Sequence, residues 1–214
     1  MLIKIKKFYY STMRYLLHNT NKKMDVIRKL LAQESIDFKE AVALSGLSEE
    51  HSKQLLIDEQ GVNFIKTNFH GAFLIKPKVF SDKRGFFVES YSDSVFKSAG
   101  IDVKFIQDNH SMSVEKGVLR GLHFQLPPYS QSKLVRVTRG AVYDVIVDLR
   151  KHSRTFGEWE GFILSRDNAL QLFVPQGFAH GFCTLEENTE FMYKVDNFYA
   201  KEHDSGIAWN DSAL

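Results

Sequence analysis

From Gly61 onward the chain is a succession of short aromatic and β-branched segments cut by glycine and proline, and that pattern limits what it can fold into. "KLVRVTRGAVYDVIVDLR", "LQLFVPQGFAHGFCTL" and "TEFMYKVDNFYA" are the clearest examples. Successive side chains on a strand point to opposite faces, so each segment can bury one face and show the other. Many short strands with almost no helix between them point to a sandwich, a barrel or a jelly roll. The 18 phenylalanines and 8 tyrosines concentrate after residue 64, beside Val, Ile and Thr, which pack well on pleated surfaces. Two strands are expected around the turn former "SDKRG", and the break at Arg139 and Gly140 reads as a hairpin.

The first 60 residues follow a different rule. Residues 1–24 are basic and aromatic, with no acidic residue before Asp25, and read as a tail. They lack the longer apolar core and small-residue cleavage site of a secretory signal. Met13 and Met24 are alternative starts. Val26, Ile27, Leu30 and Leu31 recur at helical spacing, which begins a helical extension expected over 25–66. A break at Gly46 is followed by Ser48 as an N-cap, with Glu49 and Glu50 in the first turn. This outline fits a helix-turn-helix, yet "SEEHSKQLLIDEQG" carries more acid than base, whereas a helix facing phosphates should be basic. A helical appendage or dimerisation element is favoured, and no contribution to a ligand pocket is expected from it.

Composition narrows the classes further. A formal net charge of +2 over 214 residues gives no reason to expect nucleic acid or membrane as the main partner. The single cysteine, Cys183, excludes an internal disulfide and a cysteine-cluster metal site, and reads as a small hydrophobe. No apolar run reaches the length of a membrane span. The expected location is the cytoplasm.

The β region repeatedly places polar groups inside hydrophobic strand contexts. Arg84 and Glu89 flank "GFFV", and Gln107, Asp108 and Asn109 follow "VKFI". Arg120 and His123 sit in "VLRGLHFQ", Lys133 opens the next strand, and His180 lies in "PQGFAHGF". Tyr193 and Tyr199 lie in "FMYKVDNFY". A lone strand histidine is usually a hydrogen-bonded core residue. Together these groups supply a base, a cation, a phenol and several guanidiniums, and a barrel lined by them is a pocket. "PQGFAH" resembles the second motif of metal-binding cupins, whose first motif carries an H-x-H pair and a glutamate. Here that region reads "LHFQ", a poor ligand set, so no catalytic metal is expected.

Six ordered blocks carry a closer resemblance. "PKVFSDKRGFFVESY", "FIQDNHSMS", "VLRGLHFQ", "KLVRVTRGAVYDVIVDLRKHSRTFGEW", "LFVPQGFAHGF" and "EFMYKVDNFYA…GIAWND" resemble successive segments of the dTDP-4-dehydrorhamnose 3,5-epimerase family, from about Phe73 onward. The resemblance implies a mainly β, cupin-type jelly roll over residues 67–214, usually a homodimer. It implies a dTDP-linked 4-keto-6-deoxysugar as substrate, no cofactor, and epimerisation at C3 and C5. Both carbons flank the C4 ketone, so each proton can leave to give an enolate. Carried over by position, His123 is the base, Lys133 holds charge on the ketone oxygen, and Tyr193 returns a proton to the opposite face. Arg84, Glu89, Gln107, Asp108, Asn109, Arg120, His180 and Asp204 correspond to substrate-binding positions, and Tyr199 to an aromatic that stacks on thymine.

The sequence departs from the family in two places. Asp204 stands where the family usually has glutamate. The family also carries, past "WND", a segment whose aspartate pairs with the catalytic histidine, while this sequence ends at "GIAWNDSAL". Three readings therefore stand side by side: an active epimerase, a weak or inactive nucleotide-sugar-binding relative, and a sugar-sensing regulator with an N-terminal helix-turn-helix. C3-only epimerisation stays open as a narrower form of the first.

Overall fold

The computed structural model describes residues 61–212 and 214, together with the two-residue strand Leu56–Ile57. In chain order the strands are β1 (Leu56–Ile57), β2 (Asn63–Lys66), β3 (Phe73–Lys76), β4 (Val79–Asp82), β5 (Gly85–Val88), β6 (Gln107–Ser113) and β7 (Leu119–Gln125). They continue as β8 (Lys133–Arg139), β9 (Ala141–Asp148), β10 (Trp159–Ser165), β11 (Gln171–Val174), β12 (Phe178–Thr184), β13 (Thr189–Val195) and β14 (Asp204–Gly206). Among the described residues, one six-residue α-helix, α1 (Asp93–Ser98), interrupts them.

Seven strands form one antiparallel sheet in the order β1-β2-β3-β11-β8-β13-β6, and five form a second in the order β10-β9-β12-β7-β14. The two sheets bury a common core of Leu74, Val135, Val137, Leu172 and Phe191 from the first and Val142, Ile146, Phe162 and Phe182 from the second. This is the jelly-roll sandwich expected from the alternation. Outside the larger sheet, α1 buries Val95 and Phe96 against Phe64, Ile75, Leu134 and Phe173. The Phe96 ring meets Phe64 edge-on, with centroids 5.2 Å apart.

Two sequence expectations change. Residues 25–66 were expected to be helical, but β1 and β2 fall inside that range and pair as Leu56↔Phe64 and Ile57↔Asn63, so the sheet begins before residue 67. Residues 1–55 and 58–60, with the helix-turn-helix outline, lie outside the described residues. The second change concerns Gly140. The strands on either side do not pair: β8 bonds to β11 and β13, and β9 to β10 and β12. The chain turns a corner between sheets there. Gly140 adopts φ +75°, and a Cβ at that position would run into Thr189.

The "SDKRG" turn behaves as expected: β4 and β5 pair as a ribbon closed at Asp82↔Gly85. That ribbon belongs to neither large sheet. Among the described residues, no helix is long and apolar enough to cross a membrane.

Candidate active site

The inner face of the sandwich changes from apolar to polar along its length. On β6 the inward row is Gln107, Asn109, Ser111 and Ser113, opposite Val195, Tyr193, Phe191 and Thr189 of β13. A strand filling a core would put apolar groups in that row, so β6 forms a pocket wall instead. Gln107 donates from Nε2 to Asn109 Oδ1 at 2.8 Å. Asp108 alternates to the other face, where Lys194 Nζ donates to it at 2.8 Å. The sequence reading had grouped Asp108 with Gln107 and Asn109, but period-two geometry separates it from them.

Lys133 lies in the inward row of β8 with Val135 and Val137, and pairs with Val195 of β13. Burial lowers the pKa of its ammonium group, while Asp144 and Asp204 oppose that by favouring the cation. Tyr193 packs against the core, its ring 6.2 Å from that of Phe191. Burial raises its phenol, against the pull of Arg120.

The opposite wall comes from the smaller sheet. His123 of β7 faces His180 of β12, and Arg120 faces Phe182. Between these pairs two residues of β7, Gly121 and Leu122, stand against one of β12, Gly181, a β-bulge. Strict alternation would send Arg120 and His123 to opposite faces. The extra residue brings both to the inner one. Gly121 sits in the bulge at φ +132°, and a Cβ on it would collide with the Gly181 backbone. Arg120 is steadied by Ser113, whose Oγ accepts from Nε at 3.2 Å.

His180 is 6% exposed and its Nε2 lies 2.9 Å from both carboxylate oxygens of Asp144. Burial pushes the Asp144 carboxyl up, while His180 and Lys133 act in the other direction. His180, Asp144 and Lys133 therefore form one charge-coupled group on the inner face of the sandwich. Asp144 was not singled out from the sequence, although it occupies the inward row Val142, Asp144, Ile146 of β9, and that row was the signal. Gln125 was missed as a brace. It donates to the carbonyls of Tyr129 (2.7 Å) and Phe198 (3.1 Å) and accepts from the Ala200 N–H (2.7 Å). It thereby fixes the loop carrying Tyr199, whose hydroxyl donates to Asp204 Oδ2 at 3.2 Å. Asp204 itself pairs with Gln125 in register.

Arg84 and Glu89 lie apart from this group. Arg84 is at the tip of the β4–β5 ribbon, its side chain 85% exposed and paired with Asp82 at 2.6 Å. Glu89 is exposed just past the ribbon. Cys183 is half-buried, and burial raises its thiol to about 11, which disfavours the thiolate. Among the described residues, no three His, Cys, Asp or Glu side chains group as a metal site would require.

Comparison with known proteins extends these observations. The family model described as dTDP-4-dehydrorhamnose 3,5-epimerase matches residues 66–214. A Shigella flexneri protein of that name is 54% identical over 154 residues, spanning 72% of this chain and 84% of the relative. A Bacillus anthracis dTDP-4-dehydrorhamnose 3,5-epimerase solved with TDP and PPi bound is 56% identical with a TM-score of 0.71, over 72% of this chain and 88% of that one. A Legionella pneumophila dTDP-6-deoxy-D-glucose-3,5-epimerase in complex with dTDP-4-keto-L-rhamnose is 45% identical with a TM-score of 0.69, over 72% of this chain and 81% of that one. Matched over more than two thirds of its length, the chain belongs to the dTDP-4-dehydrorhamnose 3,5-epimerase family.

Proposed function

We propose that this chain epimerises C3 and C5 of a dTDP-4-keto-6-deoxyhexose, converting the dehydro-6-deoxy-D-glucose form to the dehydro-L-rhamnose form. The observation that carries this reading is the placement of His123 and Tyr193 on facing sheets, with the polar row of β6 beside Tyr193 on the same wall. Inversion requires one group to take a proton from one face of the sugar and another to return a proton to the opposite face.

In this reading His123 removes the proton next to the ketone, and the C–H electron pair moves onto the C4 oxygen as an enolate. Lys133, whose cationic form Asp144 and Asp204 favour against the effect of burial, stabilises that oxygen. Tyr193, a phenol that is protonated at neutral pH and that burial shifts further upward, delivers its proton to the opposite face of the carbon. Arg120 suits an anionic diphosphate because a guanidinium can make paired hydrogen bonds to it. Tyr199, 61% exposed at the pocket rim, offers a flat surface to a base.

The ribbon completes the proposal. Its Phe80, Phe86 and Phe87 are 50%, 58% and 68% exposed, a concentration of apolar surface that a second copy of the chain would cover. A homodimer formed there accounts for substrate-binding positions on a ribbon outside the chain's own pocket, since Arg84 and Glu89 would then serve the partner's pocket.

Incubation with dTDP-4-keto-6-deoxyglucose in deuterated water, read by NMR of the sugar, tests the chemistry. Deuterium at both C3 and C5 supports the reading, deuterium at C3 alone reduces it to a mono-epimerase, and deuterium at neither overturns it. His123→Ala should abolish exchange at both carbons. Tyr193→Phe should retain some exchange while blocking the inverted product.

A further inference from the structure

A second concave site lies where the turn after β2 meets the loop between β9 and β10. It is a cavity of about 770 Å3 lined by Asn68, His70, Arg150, Lys151, His152 and Arg154. The volume falls within the range of small-molecule sites. None of the inward-row residues of the barrel lines it, and neither does any carboxylate.

The loop is held in place from beneath. Ser153 and Thr155, which also line the cavity, turn their hydroxyls down onto Asp148 Oδ2 at 2.6 and 2.7 Å. Arg150 donates to the same carboxylate from Nε at 2.8 Å and Nη2 at 2.7 Å. Its Nη1 reaches the His70 carbonyl at 2.8 Å, and the guanidinium covers the Phe178 ring at 4.4 Å, joining the two walls. The charge of Arg150 is thus balanced by Asp148. On the other wall, Glu160 is 4% exposed and accepts from the backbone N–H and side-chain amide of Asn68, both at 3.1 Å. Asp148 and Glu160 lie under the surface and are engaged there, and the exposed Glu158 of the same loop does not line the cavity, while Lys151, His152, Arg154 and His70 are exposed.

We propose that this cavity is an oxyanion site distinct from the barrel interior, taking a small phosphorylated ligand. Lys151 supplies a point charge, Arg154 a planar pair of donors, and the two imidazoles further hydrogen bonds. Because Asp148 already fixes the loop, the ordering that opposes binding is confined to the exposed side chains.

Inorganic pyrophosphate added to the full chain is the probe, followed through the ring C–H NMR signals of His70 and His152. The site requires both signals to shift saturably with a common Kd. Lys151→Ala combined with Arg154→Ala should weaken that Kd by at least about tenfold while leaving epimerisation unchanged. The charge-retaining pair Lys151→Arg and Arg154→Lys should keep most of the affinity. The proposal is overturned if the two ring signals stay still, or if the double-alanine variant binds as tightly as the parent.

Discussion

Strand β9 carries two buried carboxylates four residues apart in the same inward row, and they have opposite fates. Asp144 and Asp148 are both 0% exposed. Burial pushes up both carboxyls. At Asp148 that push is overridden by donors from Arg150, Ser153 and Thr155, which hold the group far below the usual carboxylate range. Among the described residues the Asp144 carboxylate bonds to His180, with Lys133 nearby, and the carboxyl remains above its ordinary value. Depth of burial therefore does not decide whether a carboxylate is charged. The number and geometry of its donors do. Asp148 is committed to the shape of a loop, whereas Asp144 is coupled to His180 and Lys133 on the inner face of the sandwich.

If that contrast is right, the two positions should fail in different ways. The largest effect is expected from Asp148→Asn, which leaves the partly buried Arg150 without its counter-charge and should cost about 3 kcal/mol in a urea melt. Turnover per folded molecule should be preserved. Because the folded pKa of Asp148 is depressed, its contribution is present above the ordinary carboxylate range and is lost as pH falls through the folded value. The gap between variant and parent should therefore narrow in acid.

Asp144→Asn should do the reverse, leaving stability within about 1 kcal/mol but slowing epimerisation up to roughly a hundredfold, because His180 and Lys133 lose their orienting charge. Steady-state kinetics and a melt on the same sample separate the two outcomes. A stability loss as large as that of Asp148→Asn would end the distinction. Ser153→Ala removes one donor to Asp148 and should cost about 1 kcal/mol.

The smallest effect is a matter of sign. The folded pKa of Asp144 is raised, so the parent loses stability as pH rises from the unfolded value through the folded one. Asp144→Asn should gain on the parent over that interval by about 1 kcal/mol or less. A gain on acidification instead would show that Asp144 is held charged like Asp148.

Much of the sandwich was readable because alternation is a local property. What stayed hidden depends on partners distant in sequence. A glycine break at Gly140 looks the same whether the chain doubles back or crosses to another sheet, and only pairing with β10 to β13 decides. His123, Lys133, His180 and Tyr193 were found as residue types in blocks, yet their convergence is a product of two facing sheets. Asp108 was misplaced because a block match ignores period two. Asp144 was overlooked because "AVYDVIVDLR" reads as an ordinary alternating strand until His180 is set against it.

The bulge in β7 has a consequence for how such a site can change over evolution. Across the sheet, Arg120 and His123 stand opposite Phe182 and His180, two strand steps or about 7 Å apart. The separation between the guanidinium-bearing and imidazole-bearing positions is thus fixed by a count of residues, one more on β7 than on its neighbour. Losing the residue at Gly121 would not shorten this spacing smoothly, because it would turn Arg120 to the outside of the barrel and leave His123 where it is. The register of this wall is therefore quantised: a single codon inserted or deleted changes which residues face inward in one step, and exchanging one side chain for another leaves it as it is.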